Sequence, residues 1–489
     1  MRLLLKYQVW LLVLLPVLSR IPQLMSPLMV LDGDECIVGL MAKHFYEGKG
    51  LPLYFYGQSY GFSFVEVIAI YPFYLLLGIS DIAVKIGMLS LWILGLVFFH
   101  KTLKNLSPKN SWTPFLFCLI LILSPSWAIW SMKARGGYLT AFFLSSLILY
   151  IITSKAVNKW VCLFVAILCV LIYESQPLWL AGLFPFLVFY FYINRSMRSL
   201  LLFIAGLLVS SVSFFLIKRN LSHFWSPHVF SFKEPILERI LSIPRHVYRN
   251  MTGSYDYFGR IDMGFATNFW AVCFTFLIFL GLAVGLFFMI RRKQFPILYV
   301  SCIAVLFNLG YLCFILGSEY NPRYLLPLTG YSLIMLCEIL KATKNNYVNA
   351  LFFGILILSG TVSIIQFKDH RPEIQDRSLL REASNYLISQ HVHYVFSRQP
   401  LLQWQITFYS QEAVIARFVT LAERYPEYTT RVNEAYRSHK PYAVLDFFYR
   451  YRNGFQETAN KHSIANNIYV VHLNPTPEEL KEYGFDLGE

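Results

Sequence analysis

Long apolar runs recur between Leu3 and about Phe367, separated by short polar breaks. A bilayer core about 30 Å thick is crossed by roughly 20 helical residues, so these runs predict a bundle of membrane-spanning helices. The chain is 56% hydrophobic, which is far more than a soluble enzyme contains. From Lys368 to Glu489 charge returns and no spanning run remains. We therefore expect a polytopic α-helical membrane domain over residues 1–367 and a small soluble domain over 368–489.

The polar breaks between the runs predict how the chain is oriented. Twelve runs lie at about residues 3–19, 62–79, 82–100, 113–130, 137–153, 159–173, 177–193, 199–217, 266–290, 296–316, 323–340 and 347–366. If the run 62–79 does not cross, every strongly basic break falls on one side, as the positive-inside rule requires. That run contains Glu66 and Pro72 and can lie in the membrane interface. We predict eleven spans, a cytoplasmic N-terminus, and exoplasmic placement of loops 20–80 and 218–265 and of the tail.

Charge and cysteine content exclude several classes of protein. The net charge of +14 does not point to nucleic acid, because many of the lysines and arginines lie in short loops between spans. Of the eight cysteines, seven fall in apolar runs, so neither a disulfide framework nor a cysteine metal site is implied. Arg2 and Lys6 precede an apolar stretch as in a signal peptide, but no small-residue cleavage pattern follows. An uncleaved first span is therefore expected.

The tail has a coarse α/β pattern. A helix is predicted over residues 376–390, and short strands over 392–397, 412–416, 441–446 and 466–472, with helices between them. No glycine-rich phosphate fingerprint follows any of these strands, so a dinucleotide-binding role is not expected.

Three carboxylates lie close together after the first apolar run, at Asp32, Asp34 and Glu35. Charge at a membrane boundary is costly to bury and is usually kept for ions, protons or substrates. The Asp-x-Asp spacing can hold a divalent cation such as Mg²⁺ or Mn²⁺, and a desolvated carboxylate can act as a general base. The alternative is a solvated turn, or an N-cap for a helix that starts near Glu35.

A second polar stretch, residues 57–61, follows in the same loop. It contains Gln58 and Tyr60 between two glycines. An aromatic face, an amide and close backbone approach suit carbohydrate contact. An interfacial aromatic belt with turn glycines would show the same residues.

Taken together, these stretches resemble the first exoplasmic loop of GT-C glycosyltransferases. The bacterial branch related to protein O-mannosyltransferases and to lipid A aminoarabinose transferase is the most similar. The matching segments, in chain order, are Asp34-Glu35, Gly57-Gln58-Ser59-Tyr60-Gly61, Pro72 before Gly78, Arg135-Gly136-Gly137-Tyr138, Pro322-Arg323-Tyr324-Leu325-Leu326-Pro327 and Thr407-Phe408-Tyr409-Ser410-Gln411-Glu412. Each segment is short, and their order and common exoplasmic side carry the resemblance.

The resemblance implies an inverting sugar transfer on the exoplasmic side of a bacterial inner membrane. The donor would be a polyprenyl-phosphate sugar, and the acceptor a lipid, glycan or protein. Asp34 would be the base that activates the acceptor hydroxyl, and Glu35 would support it or join it in binding a divalent cation. Asp32 lies outside the two-residue motif and is kept as a substrate-binding candidate.

A departing lipid phosphate needs cations nearby, and arginine can grip phosphate through two hydrogen bonds. Arg323, between a proline and Tyr324 at the entrance of a span, is the preferred candidate. The other basic candidates are Lys133, Arg135, Arg245 and Arg249. For Lys133 and Arg135 the alternative is that they reach toward lipid headgroups.

Several other polar residues lie on the predicted exoplasmic side. Glu174, before a proline-initiated helix, either joins the site or is an interfacial acid. His223, His228 and His246 lack the spacing of a metal site, so solvated or packed histidines are expected.

Two other functions stay open on the sequence alone. A transporter or flippase of lipid-linked sugars would usually show internal repeats and matching broken helices, and no repeat is evident. A lipid-sugar ligase or polymerase would also use basic exoplasmic loops, but the early carboxylate pair fits it less well.

Overall fold

The computed structural model describes residues 7–27, 29–107, 112–154, 158–219, 235–253, 264–291, 296–314, 322–343, 346–366, 377–420, 423–451 and 455–487. The helices of the first part are α1 Gln8–Met25, α2 Gly33–Tyr46, α3 Phe64–Leu77, α4 Asp81–Leu106, α5 Thr113–Leu123, α6 Pro125–Trp130, α7 Tyr138–Ser154, α8 Lys159–Ser175, α9 Leu178–Asn194 and α10 Met197–Arg219. They continue with α11 Ile236–Met251, α12 Gly264–Ile290, α13 Pro296–Phe314, a 3₁₀ helix Pro322–Leu325, α14 Leu326–Thr343 and α15 Asn346–Gln366.

Seven helices in the described part of the chain are long and apolar enough to cross a membrane: Gln8–Met25, Asp81–Leu106, Met197–Arg219, Gly264–Ile290, Pro296–Phe314, Arg323–Lys341 and Asn349–Gln366. Shorter apolar helices such as α7 and α9 lie among them. The chain is therefore an integral membrane protein, as the apolar runs predicted. Helix α3 has 14 residues, which corresponds to about 21 Å of rise and is short for a span. This length is compatible with an interfacial helix, and the number of spans stays a prediction.

The first helix is tied into the bundle by a buried arginine. Arg20 donates hydrogen bonds to the carbonyl oxygens of Ile122 and Trp127, at 2.9 and 3.0 Å, and to Ser131 Oγ at 3.1 Å. A charge in this part of the molecule needs such partners, because an unsatisfied polar group in an apolar interior is costly. These contacts fasten α1 to α5 and α6, which suits the expected uncleaved span. The helix ends at Met25, six residues beyond the end of the predicted run.

The tail folds around a five-stranded sheet in the order β2-β1-β3-β5-β4. Its elements are α16 Arg377–Ser389, β1 Tyr394–Ser397, α17 Leu402–Tyr409, β2 Ile415–Arg417, α18 Pro426–Arg437, β3 Tyr442–Phe447, a 3₁₀ helix Phe448–Tyr451, β4 Lys461–Ile464, β5 Tyr469–Leu473 and α19 Pro477–Glu482. Strand β1 is parallel to β2 and β3, whereas β5 is antiparallel to β3 and β4. The α/β pattern and four predicted strands are confirmed. Strand β4 was not predicted; it is an edge strand whose residues are only half buried.

The tail domain packs directly on α2 and on the loop that follows it. Helix α17 crosses α2 so closely that a Cβ atom added to Gly39 would lie 2.5 Å from the Phe408 ring. The Arg377 guanidinium bonds Asp81 at the start of α4, with Nε 3.1 Å from Oδ2. Docking of the tail therefore positions the segment in which the sequence motifs lie. The predicted domain boundary at residue 367 falls outside the described residues.

Candidate active site

The acidic cluster forms the start of α2. Asp32 is the N-cap residue, and its Oδ1 accepts a hydrogen bond from the Glu35 amide at 2.9 Å. In return, the Asp32 amide donates to Glu35 Oε2 at 3.1 Å. This capping box satisfies two backbone donors that a helix start would otherwise leave without partners. The capping role considered from the sequence is therefore present for Asp32.

Three cations face these three carboxylates. Lys133 Nζ lies 2.9 Å from Asp32 Oδ2, and Lys85 Nζ lies 2.5 Å from Glu35 Oε1. Arg135 bridges two acids, since Nη1 lies 3.0 Å from Asp32 Oδ2 and Nη2 lies 2.7 Å from Asp34 Oδ2. The structure thus brings the predicted Lys133 and Arg135 to the cluster.

Lys85 was not among the predicted site residues, although the sequence holds a signal for it. Lys85 is the fifth residue of α4 and stands in an apolar run, where charged side chains are rare. A charged side chain at such a position usually has a buried partner of opposite charge. Here that partner is Glu35, which is almost completely buried.

Burial alone would raise the pKa of the Asp32 carboxyl. The charges of Lys133 and Arg135 and the Glu35 amide more than compensate, so the pKa of Asp32 lies below its ordinary value. Burial likewise opposes the charge on Lys133, but Asp32 and Glu35 raise the pKa of that amine above its ordinary value. Asp32 and Lys133 therefore stabilise each other as a charged pair.

The three acids differ in access. The Asp34 side chain is 18% exposed, compared with 4% for Asp32 and 1% for Glu35. Arg135 holds Asp34 Oδ2, whereas Asp34 Oδ1 has no hydrogen-bond partner in the described part of the chain. Asp34 is thus the carboxylate of this cluster that a substrate can reach.

The loop that carries Gln58 and Tyr60 is folded as a tight hairpin beside α8. Tyr54 and Phe62 form an antiparallel bridge, and Gly57 and Gly61 adopt positive φ angles of 68° and 72° as the chain turns. The carbonyl oxygen of Glu174 accepts hydrogen bonds from the amides of Gly61 and Phe62, at 3.1 and 3.0 Å. The loop is therefore held at a fixed position against α8.

The Glu174 carboxylate takes part in the same contact. Its Oε2 accepts a hydrogen bond from the Tyr54 hydroxyl at 3.1 Å and forms an ion pair with Lys218. Glu174, which was predicted to bind substrate, is therefore buried, and its carboxylate links the loop to the end of α10.

Tyr60 lies within electrostatic range of several predicted residues. Burial raises the pKa of its phenol, Arg424 and Arg323 act against that shift, and Asp34 and Tyr324 add to it. These four side chains are therefore close enough to Tyr60 for their charges to act on it. Asp34, Tyr60, Arg323 and Tyr324 were all predicted from the sequence, whereas Arg424 was not.

Arg323 lies among aromatic rings. Its guanidinium carbon is 5.8 Å from the centre of the Tyr138 ring and 5.4 Å from that of Tyr324. Such contacts favour a cation at this position and keep its planar face oriented. Tyr138 opens α7 directly after the Arg135-Gly136-Gly137 segment, so two of the predicted motifs contact each other here.

The remaining candidates are less closely connected with this cluster. Arg245 is exposed and Arg249 half-buried on α11, which packs against the 3₁₀ helix that carries Arg323. Burial, together with Arg249 and Arg245, lowers the pKa of His246 to about 4. Gln58 is half-buried in the hairpin. Its backbone amide donates a hydrogen bond to the Phe55 carbonyl oxygen at 3.0 Å. His223 and His228 lie outside the described residues.

The carboxylates do not fit a resident divalent cation in this arrangement. Each acid is already paired with a lysine or arginine, and a cation placed between Asp34 and Glu35 would have to displace Arg135 or Lys85. Among the described residues, no group of three His, Cys, Asp or Glu side chains could hold a metal ion. Magnesium or manganese at Asp34 and Glu35 is an expectation from the sequence alone.

Comparison with known proteins identifies the fold. No protein-family model and no curated protein sequence matches the chain. Two crystal structures of ArnT from Cupriavidus metallidurans match it at 13% sequence identity. The apo structure has a TM-score of 0.60 over 94% of this chain and 96% of ArnT. The structure bound to undecaprenyl phosphate has a TM-score of 0.61 over 96% and 98%. The chain therefore has the fold of ArnT, a lipid A aminoarabinose transferase of the GT-C type, as the sequence motifs predicted.

Proposed function

We propose that this protein is a membrane glycosyltransferase that moves a sugar from a polyprenyl-phosphate donor to a hydroxyl on an exoplasmic acceptor. The observation that carries the proposal is that Asp34 and Arg323 both contact the short segment Arg135–Tyr138: Arg135 Nη2 lies 2.7 Å from Asp34 Oδ2, and the Arg323 guanidinium carbon lies 5.8 Å from the centre of the Tyr138 ring. The charges of Asp34 and Arg323 also both act on the Tyr60 phenol. A reachable carboxylate, an aromatic hydroxyl and an arginine are the groups that such a reaction needs. They occur in a fold shared with ArnT, which has been crystallised with undecaprenyl phosphate.

In the proposed reaction Asp34 is the general base. Its Oδ1 accepts the proton of the acceptor hydroxyl while Arg135 holds Oδ2 and fixes the orientation of the carboxylate. The acceptor oxygen forms a bond to the anomeric carbon of the sugar. The bond from that carbon to the phosphate oxygen breaks, and its electron pair leaves with the lipid phosphate. Attack opposite the leaving group inverts the anomeric configuration.

Arg323 is the proposed partner of the departing phosphate. Negative charge develops on the phosphate oxygens as the bond to the sugar breaks, and a fixed guanidinium can stabilise it through two hydrogen bonds. The tyrosine rings on which Arg323 rests orient the guanidinium before substrate binds. Tyr60, whose phenol feels the charges of both Arg323 and Asp34, is the proposed contact for the sugar.

The placement of the site follows from the predicted orientation. The start of α2, the hairpin and the tail domain all belong to segments that the positive-inside rule assigns to the exoplasmic side. In a bacterium this would be the periplasmic face of the inner membrane.

The test is transfer by the purified protein. It would be incubated with a panel of radiolabelled polyprenyl-phosphate sugars and a membrane extract, and labelled glycosidic products would be sought. The proposal predicts a product with at least one donor. In parallel, vesicles containing the protein would be assayed for movement of the same donors across the bilayer. Movement without any glycosidic product would replace the enzyme with a transporter of lipid-linked sugars.

A further inference from the structure

The tail domain brings an arginine to the candidate site. Arg424 lies two residues before the start of α18, and its backbone amide donates a hydrogen bond to Glu423 Oε1 at 2.8 Å. Glu423 is buried, and its Oε2 accepts a hydrogen bond from Gln403 of α17 at 2.8 Å. The backbone at Arg424 is therefore fixed by the core of the tail domain.

Arg424 contacts the hairpin that holds Tyr60. A Cβ atom added to Gly57 would lie 2.6 Å from the Cα atom of Arg424, so the two backbones touch at a position where only glycine fits. The Arg424 guanidinium carbon lies 5.0 Å from the centre of the Phe55 ring. The next residue, Tyr425, stacks on Tyr56 with ring centres 4.7 Å apart and an angle of 29°. The hairpin therefore packs against the tail domain through Phe55, Tyr56 and Gly57.

A buried network behind the hairpin holds this junction together. His44, at the end of α2, bonds the Tyr56 hydroxyl through Nδ1 at 2.7 Å and Glu412 Oε1 through Nε2 at 3.2 Å. Glu412 belongs to the tail domain and also pairs with Lys43. Because acid, histidine and tyrosine are all buried or half-buried, they fix the tail domain relative to the loop. The position of Arg424 is therefore fixed by the core of the tail domain and by the contacts between the tail domain and the hairpin.

The charges around Tyr60 indicate which kind of ligand Arg424 can bind. The Arg424 backbone touches Gly57, three residues before Tyr60 in the same hairpin. The charges of Arg424, of Arg323 in the membrane domain and of Asp34 all act on the Tyr60 phenol. Arg135 already pairs with Asp34, so neither of the other two arginines is needed to balance that carboxylate. Positive charge gathered at a site that contains one reachable acid favours an anionic substrate.

We propose that Arg424 is a phosphate-binding residue of this site, so that the membrane domain and the tail domain build the site together. The inference rests on the proposed function. The ligand is a phosphate group, because the planar guanidinium matches phosphate oxygens with two hydrogen bonds. That phosphate belongs either to the polyprenyl donor or to the acceptor, and the measurements below separate these sources.

The experiment uses the full-length protein with Arg424→Gln, Arg424→Lys and, as the matched control, Arg431→Gln. Arg431 is an exposed arginine on α18, so its loss changes the net charge equally but leaves the site untouched. Binding of polyprenyl phosphate without sugar and the KM values of donor and acceptor would be measured. A lost hydrogen bond to a charged group predicts about a tenfold or greater weakening for Arg424→Gln. Arg424→Lys should recover part of it and Arg431→Gln should have no effect.

Each outcome has a separate meaning. Weaker polyprenyl phosphate binding and a higher donor KM assign Arg424 to the donor phosphate. A higher acceptor KM with unchanged polyprenyl phosphate binding assigns it to a phosphate on the acceptor. If both Arg424 variants fold, as judged by thermal unfolding, and match the control in every constant, the inference is wrong and the proposed function stands. If the wild-type protein neither binds polyprenyl phosphate nor transfers sugar, the proposed function fails and the inference with it.

Discussion

At the scale of single residues, the three neighbouring carboxylates have different tasks. Asp32 caps α2 and pairs with Lys133, and Glu35 is buried against Lys85. Asp34 is the most exposed of the three and is held by one oxygen only. A cluster that looks uniform in sequence thus divides into two buried acids with cationic partners and one more exposed acid.

The buried pair of Glu35 and Lys85 can be tested by a double-mutant cycle. Glu35→Gln leaves the Lys85 ammonium buried without its counter-charge, which should cost about 3–5 kcal/mol of stability. Replacing both, as Glu35→Gln with Lys85→Met, should recover much of that loss, because no buried charge remains. Thermal unfolding in detergent would measure both effects. Glu338→Gln is the control, since Glu338 forms a more exposed pair with Lys341. A double variant no more stable than Glu35→Gln would argue against the pair.

Arg323 makes a different prediction. Arg323→Lys keeps the charge but replaces the planar fork by a point charge, so donor KM should rise by about tenfold while acceptor KM changes little. Arg291→Lys, at an exposed arginine that also lies over an aromatic ring, is the matched control. Steady-state kinetics with each substrate varied in turn would measure this. Unchanged donor constants would remove Arg323 from the site.

What the sequence revealed about the site depended on local signals. Asp34, Arg135 and Arg323 stand in short motifs at the ends of apolar runs, where charge is conspicuous. Lys85 was obscured by the apolar run that contains it. Arg424 could not be found in this way, because its importance comes from a contact with Gly57 more than 360 positions earlier in the chain. Long-range contacts of this kind leave no periodic pattern in one sequence.

At the scale of elements, the contact between α2 and α17 determines how the tail is seated. An added Cβ at Gly39 would lie 2.5 Å from Phe408, so Gly39→Ala should destabilise the packed tail domain by about 1–3 kcal/mol. Adding Phe408→Leu should relieve the crowding. Gly354→Ala in α15 is the control, because its Cβ would meet no atom within 4 Å. Limited proteolysis of the tail would report the effect, and equal protection in all variants would contradict it.

The ion pairs at this junction predict a pH dependence. Burial alone would raise the pKa of Glu412, but hydrogen bonds from His44, Lys43 and Tyr428 lower it below the ordinary value of 4.5. A carboxylate with a lowered pKa in the folded state stabilises the fold fully above its unfolded pKa and loses that contribution as pH falls. Wild type should therefore unfold at a higher temperature than Glu412→Gln near neutral pH, and the gap should narrow below about pH 4.5.

The exposed acid Glu434 of α18 provides the control for this comparison. Glu434→Gln should track the wild-type protein at every pH. A constant gap between wild type and Glu412→Gln across the acidic range would contradict the proposed role of the carboxylate.

Elements were predictable where pattern decides them. The buried strands β1, β2, β3 and β5 were found because apolar and β-branched residues mark them. Edge strand β4 begins with Lys461, His462 and Ser463 and is only half buried, so composition did not reveal it. Helix α1 is longer than the apolar run that predicted it. Arg20 and Pro22 end the run in the sequence, but the hydrogen bonds of Arg20 to Ile122 and Trp127 allow the helix to continue to Met25.

At the scale of the whole molecule, the predicted orientation places the site, the hairpin and the tail domain on one side of the membrane. Single cysteines introduced into a cysteine-free background would test it with a membrane-impermeant reagent. Positions near Lys104 and Arg195 should react only from the cytoplasmic side, and Gly57 and the tail only from the exoplasmic side. Labelling of the tail from the cytoplasm would contradict the orientation and the exoplasmic site together.

The proposed role of Asp34 in activating the acceptor is best tested by the rate of sugar transfer by Asp34→Asn. The substitution keeps the shape and the contact with Arg135 but removes the proton acceptor. A positioned general base contributes about 10²–10⁴-fold to rate, so kcat should fall by that factor while polyprenyl phosphate binding stays as in wild type. Glu478→Gln, at an exposed acid of α19, should leave both unchanged. Near-wild-type kcat in a folded Asp34→Asn protein would contradict the account.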